Sequence, residues 1–112
     1  MWHVGAVLVF EVVAEPTRRR LLDRLRVGPC LVGELAAELG LSQPATSKHL
    51  KVLRDAGLVA AEVEGPARRY HLRVEPLVAV DEWLQPYRWL WEHHVDRLEA
   101  HLDRIAGEED AR

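Results

Sequence analysis

Two short helical patterns, separated by only a few residues, constrain this chain most. Leu31, Leu35 and Leu39 recur every four residues, the spacing of a single helix face. Gly40 follows at once, and glycine is the residue best suited to ending a helix. Ser42 then stands where a new helix needs an N-cap, and Pro44 falls in the first turn, where a missing N–H costs little. The second pattern runs from about Gln43 to Ala56 and stops at Gly57. Two short helices joined by so tight a glycine turn predict a helix-turn-helix.

The flanks extend this prediction. After Gly57 the period changes to two: Val59, Ala61 and Val63 alternate with Ala60, Glu62 and Glu64, and Arg69, His71 and Arg73 alternate with Arg68, Tyr70 and Leu72. With Gly65-Pro66 between the runs, this reads as a β-hairpin, which makes the unit a winged helix. Upstream, Glu15-Pro16 opens a helix whose face holds Leu21, Leu22 and Leu25, and Gly28-Pro29 closes it. Residues 4–14 are rich in valine, which permits a strand. A helix is expected there, because it would pack against the one that follows. Downstream, Leu77, Leu84, Trp91, Leu98 and Ile105 are each seven apart, with Val80 and Tyr87 three further on. Such a seam belongs to a helix that pairs with another. Pro86 is expected to kink or divide it. The expected fold is mainly α with a β-hairpin wing, in the order ααααββα. Residues 1–106 would form one DNA-binding and dimerisation domain, and 107–112 a frayed polar tail.

The totals agree with one small domain. A chain of 112 residues suits one core, although at this size a partner subunit would help bury apolar surface. Apolar residues make up 48% and charged residues 29%, an ordinary soluble composition. No apolar run approaches the ~20 residues of a membrane span. The apolar start from Met1 to Phe10 lacks the basic region and cleavage site of a signal peptide. Cys30 is the single cysteine, so no intrachain disulfide can form, and a cytoplasmic location without membrane contact is expected. Net charge is −3, yet residues 42–73 hold six basic groups against three acids, while 74–112 hold four against ten. The middle third is the part able to face phosphates.

The candidate DNA-binding residues follow from this. Ser42, Gln43, Pro44, Thr46, Ser47, Lys48, His49, Lys51 and Arg54 come from the second helix of the pair, and Arg68 and Arg69 from the hairpin. At 100° per residue, Thr46, Leu50 and Leu53 share the core-facing stripe, and His49 lies beside it. Pro44, Ser47, Lys48 and Lys51 lie opposite, with Gln43 and Arg54 at the flank. Gln43 and Ser47 suit base edges, whereas Lys48 and Lys51 suit phosphates. Arg68 and Arg69 would bind phosphates or enter a minor groove. A solvated helix face and a charged edge strand are the plainer readings of these cations.

The stretches Ala14–Leu22, Val32–Val59 and Gly65–Leu72 closely resemble the ArsR/SmtB family of winged-helix repressors. The resemblance covers nearly the whole chain, and Ser42–Val59 is its most specific part. It implies a homodimer formed by the first and last helices, for which Phe10, Leu84, Tyr87, Trp91, Leu98 and Leu102 are the candidate interface residues. It also implies recognition of an imperfect palindrome in double-stranded DNA and repression by occluding a promoter, often the protein's own. The sequence departs from the arsenic and cadmium sensors of that family. Their Cys-x-Cys site has no counterpart in Glu34–Leu39, so no metal ligand and no cofactor is assigned.

Other readings start from residues this leaves over. His93, His94, His101, Asp96 and Asp103 would serve a metal-responsive repressor. However, His94 and His101 are about 10 Å apart along a helix, too far for one ion within one chain. Cys30 has no second thiol to resolve an oxidised form. Trp83, Tyr87, Trp89 and Trp91 read either as dimer core or as the lining of a pocket for an unidentified small-molecule effector. No phosphate loop, zinc-protease motif or nucleophile elbow is present, so no enzyme is expected. A winged helix that binds protein in place of DNA is the rival from another class.

Overall fold

The computed structural model of the chain describes residues 4–110. Its first helix, α1 (Val4–Val13), forms despite the valines. Val9 and Val12, three apart, are both buried, so packing overrides strand propensity. Helix α2 (Pro16–Val27) starts with Pro16 in its first turn and Glu15 as its cap, the carboxylate accepting from the Arg18 N–H at 2.9 Å. The arginine run closes the junction. Arg18 Nε donates to the Val12 carbonyl at 2.6 Å, and Arg19 donates to the Val13 and Ala14 carbonyls at 2.7 and 3.1 Å. The last two carbonyls of α1, Val12 and Val13, thereby gain donors that the helix itself does not supply.

A two-residue strand, β1 (Cys30–Leu31), follows, so Leu31 belongs to a strand and not to the helical stripe in which the sequence placed it. Helix α3 (Val32–Leu39) ends at Gly40, whose φ of 68° is left-handed. The Leu41 N–H reaches back to the Ala36 carbonyl at 2.9 Å, a six-to-one closing bond. Ser42 then caps α4 (Gln43–Asp55), its hydroxyl accepting from the Ala45 N–H at 3.2 Å. Gly57 (φ 78°) ends the α4 segment, with the Leu58 N–H donating to the Leu53 carbonyl at 2.9 Å.

Strands β2 (Val59–Glu64) and β3 (Ala67–Leu72) form the hairpin, with Glu64 opposite Ala67. Gly65 has φ 61°, and proline fixes a negative φ at Pro66, which is the sign pattern of a type II′ turn. β3 is the central strand of the order β1-β3-β2, pairing Cys30 with Tyr70 and Leu31 with Arg69. Val9, Val12, Leu21, Leu25, Cys30, Leu35, Leu50, Leu53, Leu58, Val59 and Tyr70 make one buried cluster.

Helix α5 (Glu75–Asp110) is continuous through Pro86 and through Gly107. The proline therefore does not divide it, and the helix passes the end expected at Ala106. A glycine costs a helix only about 1 kcal/mol relative to alanine and does not end it unaided. Among the described residues, those up to Val80 form one compact unit and those from Asp81 to Asp110, the remainder of α5, a second. Among the described residues no helix is long and apolar enough to cross a membrane.

Candidate nucleic-acid interface

Helix α4 is two-sided. Thr46, Leu50 and Leu53 are fully buried, while Ser42, Gln43, Pro44, Ser47, Lys48, Lys51 and Arg54 are exposed. Burying the leucines, each worth ~1.5–3 kcal/mol, fixes the rotation of the helix and so decides which residues face outward. Thr46 is corrected by this geometry. Its hydroxyl donates to the Ser42 carbonyl at 2.9 Å from a position with no solvent access, so it holds the first turn and cannot touch DNA. His49 is half-buried and turns toward the start of α2, its Nδ1 3.8 Å from the Glu15 carboxylate. Burial acts to raise the pKa of that carboxyl, but hydrogen bonds from Arg18 and Thr17 and the neighbouring His49 outweigh it and hold the group below its ordinary range.

A groove of about 680 Å³ runs along the outward face of α4. Gln43, Ser47, Lys51 and Arg54 line one side, and Pro66, Ala67, Arg68 and Tyr70 of the hairpin line another. The pairing of β1 with β3 sets the hairpin beside the start of α3, and Leu31, Val32, Gly33 and Glu34 complete the wall. These four were not found from the sequence, because their place beside the hairpin depends on the β1–β3 register.

The cations differ in what engages them. Lys51 Nζ lies 3.4 Å from Asp55, and Arg69 Nε lies 2.6 Å from Glu64. Among the described residues, Lys48, Arg54 and Arg68 are in no ion pair. Arg69, unlike Arg68, has its guanidinium already held by a carboxylate. That hydrogen bond, together with the arginine's charge, keeps Glu64 below the ordinary carboxylate range.

Cys30 is fully buried, and its thiol donates to Glu34 at 3.5 Å. Burial, then this bond, raise its pKa, which keeps the sulfur protonated. The candidate dimer residues Leu84, Tyr87, Trp91, Leu98 and Leu102 are exposed on α5, and Phe10 on α1 is half-buried. On α5, Trp83 packs on Tyr87 with ring centroids 4.9 Å apart, and the off-seam Trp89 stacks on His93 at 3.9 Å. His93 Nδ1 also lies 2.9 Å from the Trp89 carbonyl, and His101 lies 3.0 Å from Arg104. Among the described residues, no three His, Cys, Asp or Glu side chains gather as metal ligands.

A family profile described as bacterial regulatory protein, arsR family, matches residues 15–61, from the Glu15 cap through α4 into β2. The chain is 45% identical over 71 residues to the HTH-type transcriptional regulator Rv2034 of Mycobacterium tuberculosis, a match covering 63% of this chain and 66% of that protein. It is 32% identical over 76 residues to the transcriptional repressor SdpR of Bacillus subtilis, covering 68% of this chain and 84% of SdpR. A solved ArsR family transcriptional regulator superposes with a TM-score of 0.71 at 35% identity, over 82% of this chain and 97% of that one. The chain thus spans just under two thirds of the length of Rv2034 and nearly all of the superposed structure.

Proposed function

This chain belongs to the ArsR family of bacterial regulatory proteins, and from that premise we propose that it is a sequence-specific, DNA-binding transcription regulator that acts as a homodimer to repress a promoter, its own among the candidates. One observation carries the reading: a single groove gathers the exposed polar face of α4 and Arg68 of the hairpin. A recognition helix and a wing that share one surface can engage a major groove and its flanking backbone together.

In this reading Gln43 and Ser47 contact bases, and Lys48, Lys51, Arg54 and Arg68 contact phosphates. Phosphate contacts supply most of the affinity and make it salt-dependent. Two copies related by a two-fold axis would place their α4 helices about 34 Å apart, matching half-sites one DNA turn apart. The apolar seam of α5 supports the dimer, because that helix has no buried residue within a single chain.

The test is fluorescence anisotropy with a duplex from upstream of the gene and a random duplex as competitor, at two salt concentrations. The expected result is tight binding that resists the competitor and weakens with salt. If neither duplex binds at low salt, the DNA reading fails and a protein-binding winged helix takes its place.

A further inference from the structure

The hairpin carries two adjacent arginines with opposite surroundings. Strand alternation sends Arg68 to the face of β3 shared with Tyr70, in the groove, and Arg69 to the other face. Arg68 is exposed and, among the described residues, in no ion pair. Arg69 is gripped at two points: its Nε donates to Glu64 Oε2 at 2.6 Å and its Nη2 to Oε1 at 3.3 Å. The direct cross-strand neighbour of Arg69 is Glu62, yet the guanidinium reaches diagonally past it to Glu64, the last residue before the turn. The backbone of Arg69 is itself held between two strands, opposite Leu31 of β1 and Glu62 of β2. A forked bond from the central strand thus closes over the Gly65-Pro66 turn.

We propose that Glu64 and Arg69 are positioning residues, whose two-point pair fixes the wing turn and so aims Arg68 at a DNA phosphate, while Arg69 makes no DNA contact. The proposal rests on the DNA-binding reading above. It also runs against simple charge accounting. Removing the negative charge of Glu64 should by itself favour binding to a polyanion, whereas loss of the pair should weaken binding by releasing the turn.

The experiment measures anisotropy on the upstream and random duplexes across a salt series. It compares wild type with Arg68→Gln, Arg69→Gln, Glu64→Gln, the double variant Glu64→Gln/Arg68→Gln and the exchanged pair Glu64→Arg/Arg69→Glu. Loss of one phosphate contact lowers the log–log salt slope by about 0.9. Arg68→Gln should show that loss, and Arg69→Gln and Glu64→Gln should each reproduce it with at least threefold weaker binding. The Glu64→Gln/Arg68→Gln double should be no weaker than Arg68→Gln alone, and the exchanged pair, whose net charge is unchanged, should regain most of the affinity. Amide exchange in residues 62–69 of the free protein should accelerate in Glu64→Gln. Tighter binding by Glu64→Gln, or a steeper slope, would show Arg69 to be a withheld phosphate contact and overturn the proposal. Wild-type binding with Glu64→Gln unchanged also overturns it but leaves the DNA reading standing. Failure of wild type to bind either duplex overturns both.

Discussion

Thr46 and Ser47 are chain neighbours with similar hydroxyls and opposite tasks. Thr46 is buried and bonded to the Ser42 carbonyl, while Ser47 is exposed in the groove. Thr46→Val keeps the shape and loses one hydrogen bond. The Ser42 carbonyl still accepts from the Thr46 N–H at 3.0 Å, so no acceptor is orphaned. The expected cost is about 1 kcal/mol in urea unfolding. Ser47→Ala should leave stability within about 0.5 kcal/mol and narrow the affinity gap between specific and random duplexes. Lys48→Ala should weaken binding to both duplexes alike and lower the salt slope by about 0.9. A Lys48→Ala protein with altered sequence preference and an unchanged slope would reverse this division of roles. The helical rotation that puts Thr46 on the core stripe was legible in the sequence, although only its burial removes Thr46 from the DNA-binding candidates. The engagement of Arg69 was not, since it depends on strand register and on a diagonal reach past Glu62.

At the scale of elements, the junctions between helices decide the geometry of the site. Gly40 joins α3 to α4 in a left-handed conformation, and a Cβ built there meets no atom within 4 Å. The penalty for Gly40→Ala is therefore one of backbone conformation alone, roughly 1–2 kcal/mol, read as a lower urea midpoint with an unchanged m-value. Glu15 closes the junction before α2, and its folded-state pKa is lowered. Stability from a lowered carboxylate is present above its unfolded pKa and is lost as the pH falls through the folded one. Glu15→Gln should accordingly flatten the acid limb of a stability–pH profile and change the neutral limb less steeply. Equal slopes in the two proteins across the carboxylate range would show that this cap does not contribute to the pH dependence. The glycine, serine and proline signals at these junctions made α2, α3 and α4 readable in advance. β1 was not readable, because two residues become a strand only through Tyr70 and Arg69, far along the chain.

At the scale of the whole molecule, α5 is the element that makes least sense in one copy. It runs for 36 residues with none buried, and it exposes Tyr87 at 53%, Trp91 at 66%, Leu98 at 51% and Leu102 at 56%. Leu84, Trp91 and Leu98 recur every seven residues, the repeat of a helix that pairs with another. An apolar strip of this kind is unfavourable in water and is relieved by association. Dimer formation would also couple the two α4 helices, so that binding one half-site raises the effective concentration at the other. Trp91→Glu and Leu98→Glu each place a charge within the seam and leave the buried cluster of residues 9–70 untouched. Both should sediment as monomers with an unchanged helical circular-dichroism signal. Both should also lose about 10²-fold or more in affinity for a two-half-site duplex, and much less for an isolated half-site. A Trp91→Glu protein that stays dimeric would place the interface elsewhere. One that becomes monomeric with full affinity for the long duplex would show that a single α4 and wing suffice for recognition.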